Sequence, residues 1–265
     1  MTKILAYGLM YHDVADPDGQ AGGRSGAGPD RYKVTSETFV EHLDQIEATV
    51  GVPPAVADDL VDGRGPSPAW ALTFDDGGAG ALQIGEELRR RGWPGHFFIT
   101  GGVIGTPEFV DEPAIRELDR MGHIVGSHSM THPERMASLP ASDLLREWSE
   151  SVAVLAGIVG KDVRTASVPG GYYRRNVAVA AARAGITTLF TSEPVRSAHR
   201  VDGCLVVGRY SIRRDTSAGE AAKAAAGEAT CWLPAYAAWN ARKLAKRLAG
   251  KRYESFRRTL LTRSS

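Results

Sequence analysis

The sequence predicts an α/β protein in which a largely parallel sheet is flanked by helices. Three observations carry that prediction. Short apolar runs alternate with stretches of helical periodicity from residue 4 to residue 212. No internal repeat is visible that would break the alternation. The 265 residues, 43% hydrophobic and 24% charged, suffice to bury a full core and match an ordinary globular composition. The pattern alone leaves the closure open, and both a barrel and a doubly wound sheet fit it.

Residues 4–11 read as a first buried strand, followed by a Gly-, Asp- and Pro-rich loop from Asp13 to about Asp30. Ser36 to Thr49 reads as a helix, with Ser36 as cap and Phe39, Leu43 and Ile46 at helical spacing. Ala69 to Phe74 is a strand that runs into an acidic pair. Ala81 to Arg91 follows as a helix and His96 to Thr100 as a strand. The alternation continues with a helix over 112–121, a strand over 123–127 and a long helix over 142–158. After these come a strand over 163–168, a helix over 176–184 and strands over 186–191 and 204–212.

Bulk properties exclude several functions. The formal net charge of +1 gives no global basis for nucleic-acid binding. Cys204 and Cys231 have no metal-binding spacing and no framework around them. The N-terminus lacks the charged and long apolar regions of a leader, and no run approaches the ~18 apolar residues of a membrane span, so the expected location is cytoplasmic. The segment 239–263 differs in kind. It carries Arg242, Lys243, Lys246, Arg247, Lys251, Arg252, Arg257, Arg258 and Arg263 against Glu254 alone, with leucines interleaved. Such a basic amphipathic helix suits either packing on the domain or contact with an anionic membrane at its inner face. The expected division is therefore an α/β domain over 1–215 and a helical, basic extension over 216–265.

Two strings carry the chemistry. Thr73-Phe74-Asp75-Asp76-Gly77 sets two carboxylates at a strand's C-terminal end, where sites of parallel α/β folds form. Successive side chains on a strand diverge, so one carboxylate can ligate a metal while the other stays free as a base. His128-Ser129-Met130-Thr131-His132 sets two imidazoles at i and i+4, converged by a helical turn or by a loop. Neutral imidazoles with a carboxylate suit a divalent metal, zinc first. His12, after the first strand, reaches the same rim as a candidate substrate contact. His42, His96 and His123 look incidental to the chemistry.

With these strings the chain resembles the polysaccharide deacetylase family of carbohydrate esterases, and in particular its bacterial cell-surface glycan branch. The resemblance spans roughly residues 4–215. It implies a distorted (β/α) barrel with fewer than eight strands and metal-dependent removal of an N-acetyl group from an amino sugar of a glycan or lipid-linked glycan precursor. It makes Asp75 the catalytic base and Asp76, His128 and His132 the metal ligands. The third family motif departs here: its usual Arg is Ser167 and its aromatic is Gly170, in Ser167-Val168-Pro169-Gly170-Gly171-Tyr172-Tyr173. The Gly170 amide is then a candidate oxyanion donor and Tyr172 a candidate substrate contact. The late Leu-x-His that supplies the family's general acid is missing, and His199 is a candidate substitute. These departures keep two alternatives in view: hydrolysis of a small amide or imide on the same barrel, or a carbohydrate-binding homologue without activity.

Overall fold

The computed structural model describes residues 4–15, 22–26, 28–63 and 67–244. In chain order the elements are β1 (Ile4–Tyr11), β2 (Val14–Ala15), β3 (Val34–Thr35), α1 (Ser36–Val50), α2 (Ala57–Asp62), β4 (Ala69–Phe74), α3 (Ala81–Arg90), β5 (His96–Ile99) and α4 (Glu112–Arg120). They continue as β6 (Ile124–Ser127), α5 (Ala141–Val159), β7 (Thr165–Ser167), α6 (Arg175–Arg183), β8 (Thr188–Phe190), β9 (Ser197–Val201), β10 (Cys204–Ser211) and α7 (Ala218–Ala225). Helical residues 229–244 follow.

The strands β1, β4, β5, β6, β7, β8 and β10 pair in parallel in that order, and β10 returns to β1 to close a barrel. β9 is the eighth strand. It runs antiparallel to β10 and to Ile4 and Leu5 of β1, at the N-terminal end of the ring. The barrel is thus distorted, with fewer than eight strands in its parallel ring.

Strand alternation sorts the side chains into two surfaces. Leu9, Leu72, Phe74 and Phe97 pack outward on helical residues such as Phe39, Leu43, Ile84 and Leu118. Ala71, Phe98, Phe190, Leu205 and Val207 form a separate apolar cluster, joined by Leu60 of α2. Further along the same face the positions become polar: Thr73 and Asp75 two and four residues after Ala71, and Arg209 two after Val207. The switch from apolar to polar along one face places the site at the C-terminal rim.

Several local expectations need correction. Thr35, not Ser36, caps α1: its hydroxyl accepts from the Thr38 amide at 3.2 Å, while Ser36 donates to the Ala15 carbonyl at 2.7 Å. The elements α2, β2, β3 and β9 went unread because they are too short to show a period. The extension from residue 216 does not begin as an appendage. Ala221, Ala222, Ala224 and Ala225 of α7 share a core with Phe39, Leu43 and Ile46, and Trp232 lies edge-on to Tyr7 at 4.9 Å. Small alanines let α7 approach α1 closely, which builds residues 218–232 into the wall. Residues 245–265, and so most of the basic segment 239–263, lie outside the described residues. Among the described residues no helix is long and apolar enough to cross a membrane.

Three histidines serve the fold. His96 is buried, donating from Nδ1 to the Leu72 carbonyl at 3.0 Å and accepting the Ala57 amide on Nε2 at 3.0 Å. His42 bridges Tyr11 and the Thr216 carbonyl, and His123 bridges the Gly95 amide and the Gly85 carbonyl. In each, the partners assign the neutral tautomer.

Candidate active site

Asp75 ends the inward face of β4 and is buried, at 3% exposure. Its partner was not foreseen. Arg209 of β10, fully buried, grips it in a two-pronged ion pair, Nη1 to Oδ1 at 2.7 Å and Nη2 to Oδ2 at 2.8 Å. The remaining guanidinium protons go to Thr73 Oγ1 at 3.0 Å, Ser167 Oγ at 2.7 Å and the Thr191 carbonyl at 3.1 Å. Ser167 itself donates to Asp75 Oδ2 at 3.1 Å. Burial pushes the Asp75 carboxyl up, but the Arg209 charge and nearby His128 outweigh it and hold the carboxyl below its usual range. The guanidinium missing from position 167 therefore arrives from another strand, through the space that a serine leaves. Gly8 makes room for the stem, since a Cβ there would stand 3.0 Å from Arg209 Cγ.

Asp76 turns the other way. It has φ 76°, and Gly77 after it φ 77°, so the chain bends sharply as it leaves the strand. Ser129 and His132 also have positive φ, at 64° and 55°. Left-handed non-glycine residues concentrated in one site indicate a conformation enforced by its surroundings. Those surroundings are visible. Glu147 of α5 accepts the Met130 and Thr131 amides at 3.0 and 2.8 Å and the Thr131 hydroxyl at 2.6 Å. Ser129 Oγ accepts the His132 amide at 3.0 Å. The two imidazoles therefore converge by a loop rather than a helix, with ring centroids 5.0 Å apart.

His128 Nε2 and His132 Nε2 each stand 3.4 Å from the same oxygen, Asp76 Oδ1. That oxygen is buried and has no hydrogen-bond partner. His128 donates from Nδ1 to the Ser167 carbonyl at 3.1 Å, which leaves Nε2 as a bare lone pair. Burial pushes the Asp76 carboxyl up, yet the two imidazoles hold it well below the ordinary range. Burial also lowers the His132 imidazole, with Asp76 opposing. Ligands each about 2.0–2.1 Å from a tetrahedral zinc stand about 3.4 Å apart, so the three facing atoms fit such an ion. All three lie within 4.8 Å of one another. Arg24 Nε lies 3.8 Å from the same Asp76 oxygen, on a loop whose sequence gave no signal for it.

The other candidates separate. His12 is at the rim, half-buried, stacked on Tyr32 with ring centroids 4.7 Å apart, and its Nδ1 is enclosed without a partner. Burial lowers its pKa, and the charges of Asp76 and Asp75 oppose this. His199 does not join the site. It lies exposed on β9, paired with Val206 at the N-terminal end of the barrel. Gly170 abuts the loop after His132: a Cβ there would meet the Glu134 carbonyl at 2.7 Å, so backbone fills the place of the family's aromatic side chain. Tyr172 follows, with Arg135 over its ring at 5.6 Å. Asp13 was not singled out by the sequence. It is buried beneath the turn after Asp76, where a Cβ at Gly80 would come within 2.4 Å of its carboxylate.

A closed barrel with a carboxylate–imidazole cluster at its C-terminal rim defines an α/β-barrel enzyme scaffold. Residues 62–189 match the model of the polysaccharide deacetylase family, and both motifs lie within that span. Among solved structures, the deacetylase PplD of Streptococcus pyogenes in complex with acetate superposes with a TM-score of 0.67 at 18% identity, covering 82% of this chain and 95% of that one. IcaB from Ammonifex degensii gives a TM-score of 0.67 at 22% identity, covering 83% and 97%. A polysaccharide deacetylase from Bacillus cereus gives 0.70 at 18% identity, covering 84% and 69%. A gellan lyase of a Bacillus species is 29% identical over 111 residues, 42% of this chain, and the matched stretch spans 4% of that curated relative's length. These likenesses establish the fold. His12, Tyr32 and Arg209 fall outside the family-matched segment.

Proposed function

We propose that the protein is a metal-dependent hydrolase that removes an N-acetyl group from an amino sugar of a glycan. One observation carries the reading. Asp76 Oδ1 faces two imidazole nitrogens while the adjacent Asp75 is held away from them, ionised, by Arg209. Asp76, His128 and His132 would hold the ion. A divalent ion bound there supplies Lewis acidity toward the amide carbonyl and acidifies water.

The chain's own residues do the rest. Asp75 carries a low pKa, so it is ionised at neutral pH but weakly basic, and it takes a proton only from water already made acidic. Arg209 and Ser167 fix both its oxygens, so the base does not rotate. The proton that Asp75 takes is assigned to the departing amine by relay through His12, an imidazole at this rim outside the His128–His132 pair. The loop with Gly170 and Tyr172, pressed against Glu134, is assigned to the acetyl oxygen and the sugar.

The test is acetate release from a panel of N-acetylated oligosaccharides and ring opening of small cyclic amides, with metal content measured in parallel. Asp75→Asn is expected to retain metal and lose turnover by about 10²–10⁴-fold, whereas His128→Ala loses both. A wild-type protein that binds no divalent ion, or an Asp75→Asn variant of full activity, would overturn the reading. Ring opening of the cyclic amides alone would move it to that substrate class.

A further inference from the structure

A groove of about 400 Å³ runs between the C-terminal end of β10, the turn at residues 29–32 and helical residues 229–244. Its volume falls in the roughly 300–1,000 Å³ range of small-molecule sites. Tyr32 and Trp239 are among the aromatic side chains that line it. Both are anchored on the reaction centre. Tyr32 stacks on His12 with an interplanar angle of 20°. The Trp239 ring lies over Gly171, where a Cβ would stand 3.1 Å from Cη2, four residues after the Ser167 that bonds Asp75. Lys243, itself paired with Glu193, lies 5.9 Å above the Trp239 ring and steadies it. The indole Nε1 is enclosed and has no partner among the described residues.

The charged lining is balanced. Arg213 and Arg242 face the groove, and so do Asp215 and Glu220, the latter held by the Tyr210 hydroxyl at 2.6 Å. Balanced planar donors and acceptors beside aromatic faces suit a neutral polyhydroxylated ring better than an anion. We infer that this groove is a second sugar subsite, with Trp239 as the stacking platform for the glycan unit next to the one deacetylated. The inference rests on the proposed glycan reading. The side chains named for it lie outside the family-matched residues 62–189, so the family match does not supply the subsite.

The test uses full-length Asp75→Asn protein and calorimetric titration with one-unit and four-unit β-1,4-linked N-acetylglucosamine. The tetramer is expected to bind at least about tenfold more tightly than the monomer, and Trp239→Ala to abolish that gain while leaving monomer affinity unchanged. Trp239→Phe, which keeps a ring, retains most of it and controls for folding. Equal affinity for the two lengths, or a gain insensitive to Trp239→Ala, overturns the subsite. The enzyme reading fails separately: if the Asp75-intact protein releases no acetate while the Trp239-dependent gain persists, the subsite stands and the reaction falls.

Discussion

Replacing Arg209 with Met keeps the length of the stem beside Gly8 and removes five hydrogen bonds, two of them the paired contacts to Asp75. Asp75 is then a buried carboxylate without a cation, and breaking a buried pair from one side costs about 3–5 kcal/mol. For a chain of this size that lowers Tm on the order of 10 °C. A double-mutant cycle separates the pair from the rest. Asp75→Asn removes the charge that Arg209→Met strands, so the double variant should recover on the order of 2 kcal/mol relative to the sum of the singles. Urea unfolding measures this. Activity adds an independent readout: Arg209→Met should lower kcat by about 10²-fold, because a misplaced base loses its near-attack geometry, while KM and metal content hold. Additivity within about 0.5 kcal/mol, or unchanged kcat, would refute the claim that Arg209 positions Asp75.

Other expectations follow from individual contacts. Glu147→Ala frees the Met130 and Thr131 amides and should weaken metal binding by about 10–100-fold in a competitive chelator titration, with the fold intact by circular dichroism. The His96 pKa, pushed down to about 4 by burial, gives a signed pH effect. Below pH 6.5 the unfolded chain takes the proton first. The stability His96 contributes is therefore complete above pH 6.5 and lost as pH falls toward 4. Relative to His96→Asn, which keeps a donor and an acceptor, the wild type should lose about 3 kcal/mol across that window, and a flat difference would argue against a neutral buried His96. His12→Asn should retain metal and lose kcat toward the glycan. An unchanged pH–rate profile in that variant would remove His12 from the proton path.

Much of the fold was legible because its strands and long helices are periodic. Ala69–Phe74 was read with its observed bounds, since an apolar run that stops at two carboxylates marks its own end. Elements such as β9 and α2 were not legible. They hold their conformation through β10, β1 and His96, so the tertiary partner rather than local pattern decides them. The extension after residue 216 looked separable by charge, but α7 packs on α1 in the core. The alanines of α7 that join the barrel say little in one dimension.

The same division runs through the site. The sequence by itself named residues that gather at the rim: Asp75, Asp76, His128 and His132 stand in two short strings, because strand ends and tight turns place such groups through local geometry. Arg209 had only a faint signal, a charge inside a strand otherwise apolar, which calls for a buried partner without saying which. Only the tertiary structure decided that Arg209 substitutes for the guanidinium absent at Ser167, that Glu147 shapes the histidine loop, and that Trp239 comes to rest on Gly171. Barrel closure brings together residues far apart in the chain. Which side chains meet across the closed ring depends on strand order and register, quantities that no local pattern encodes.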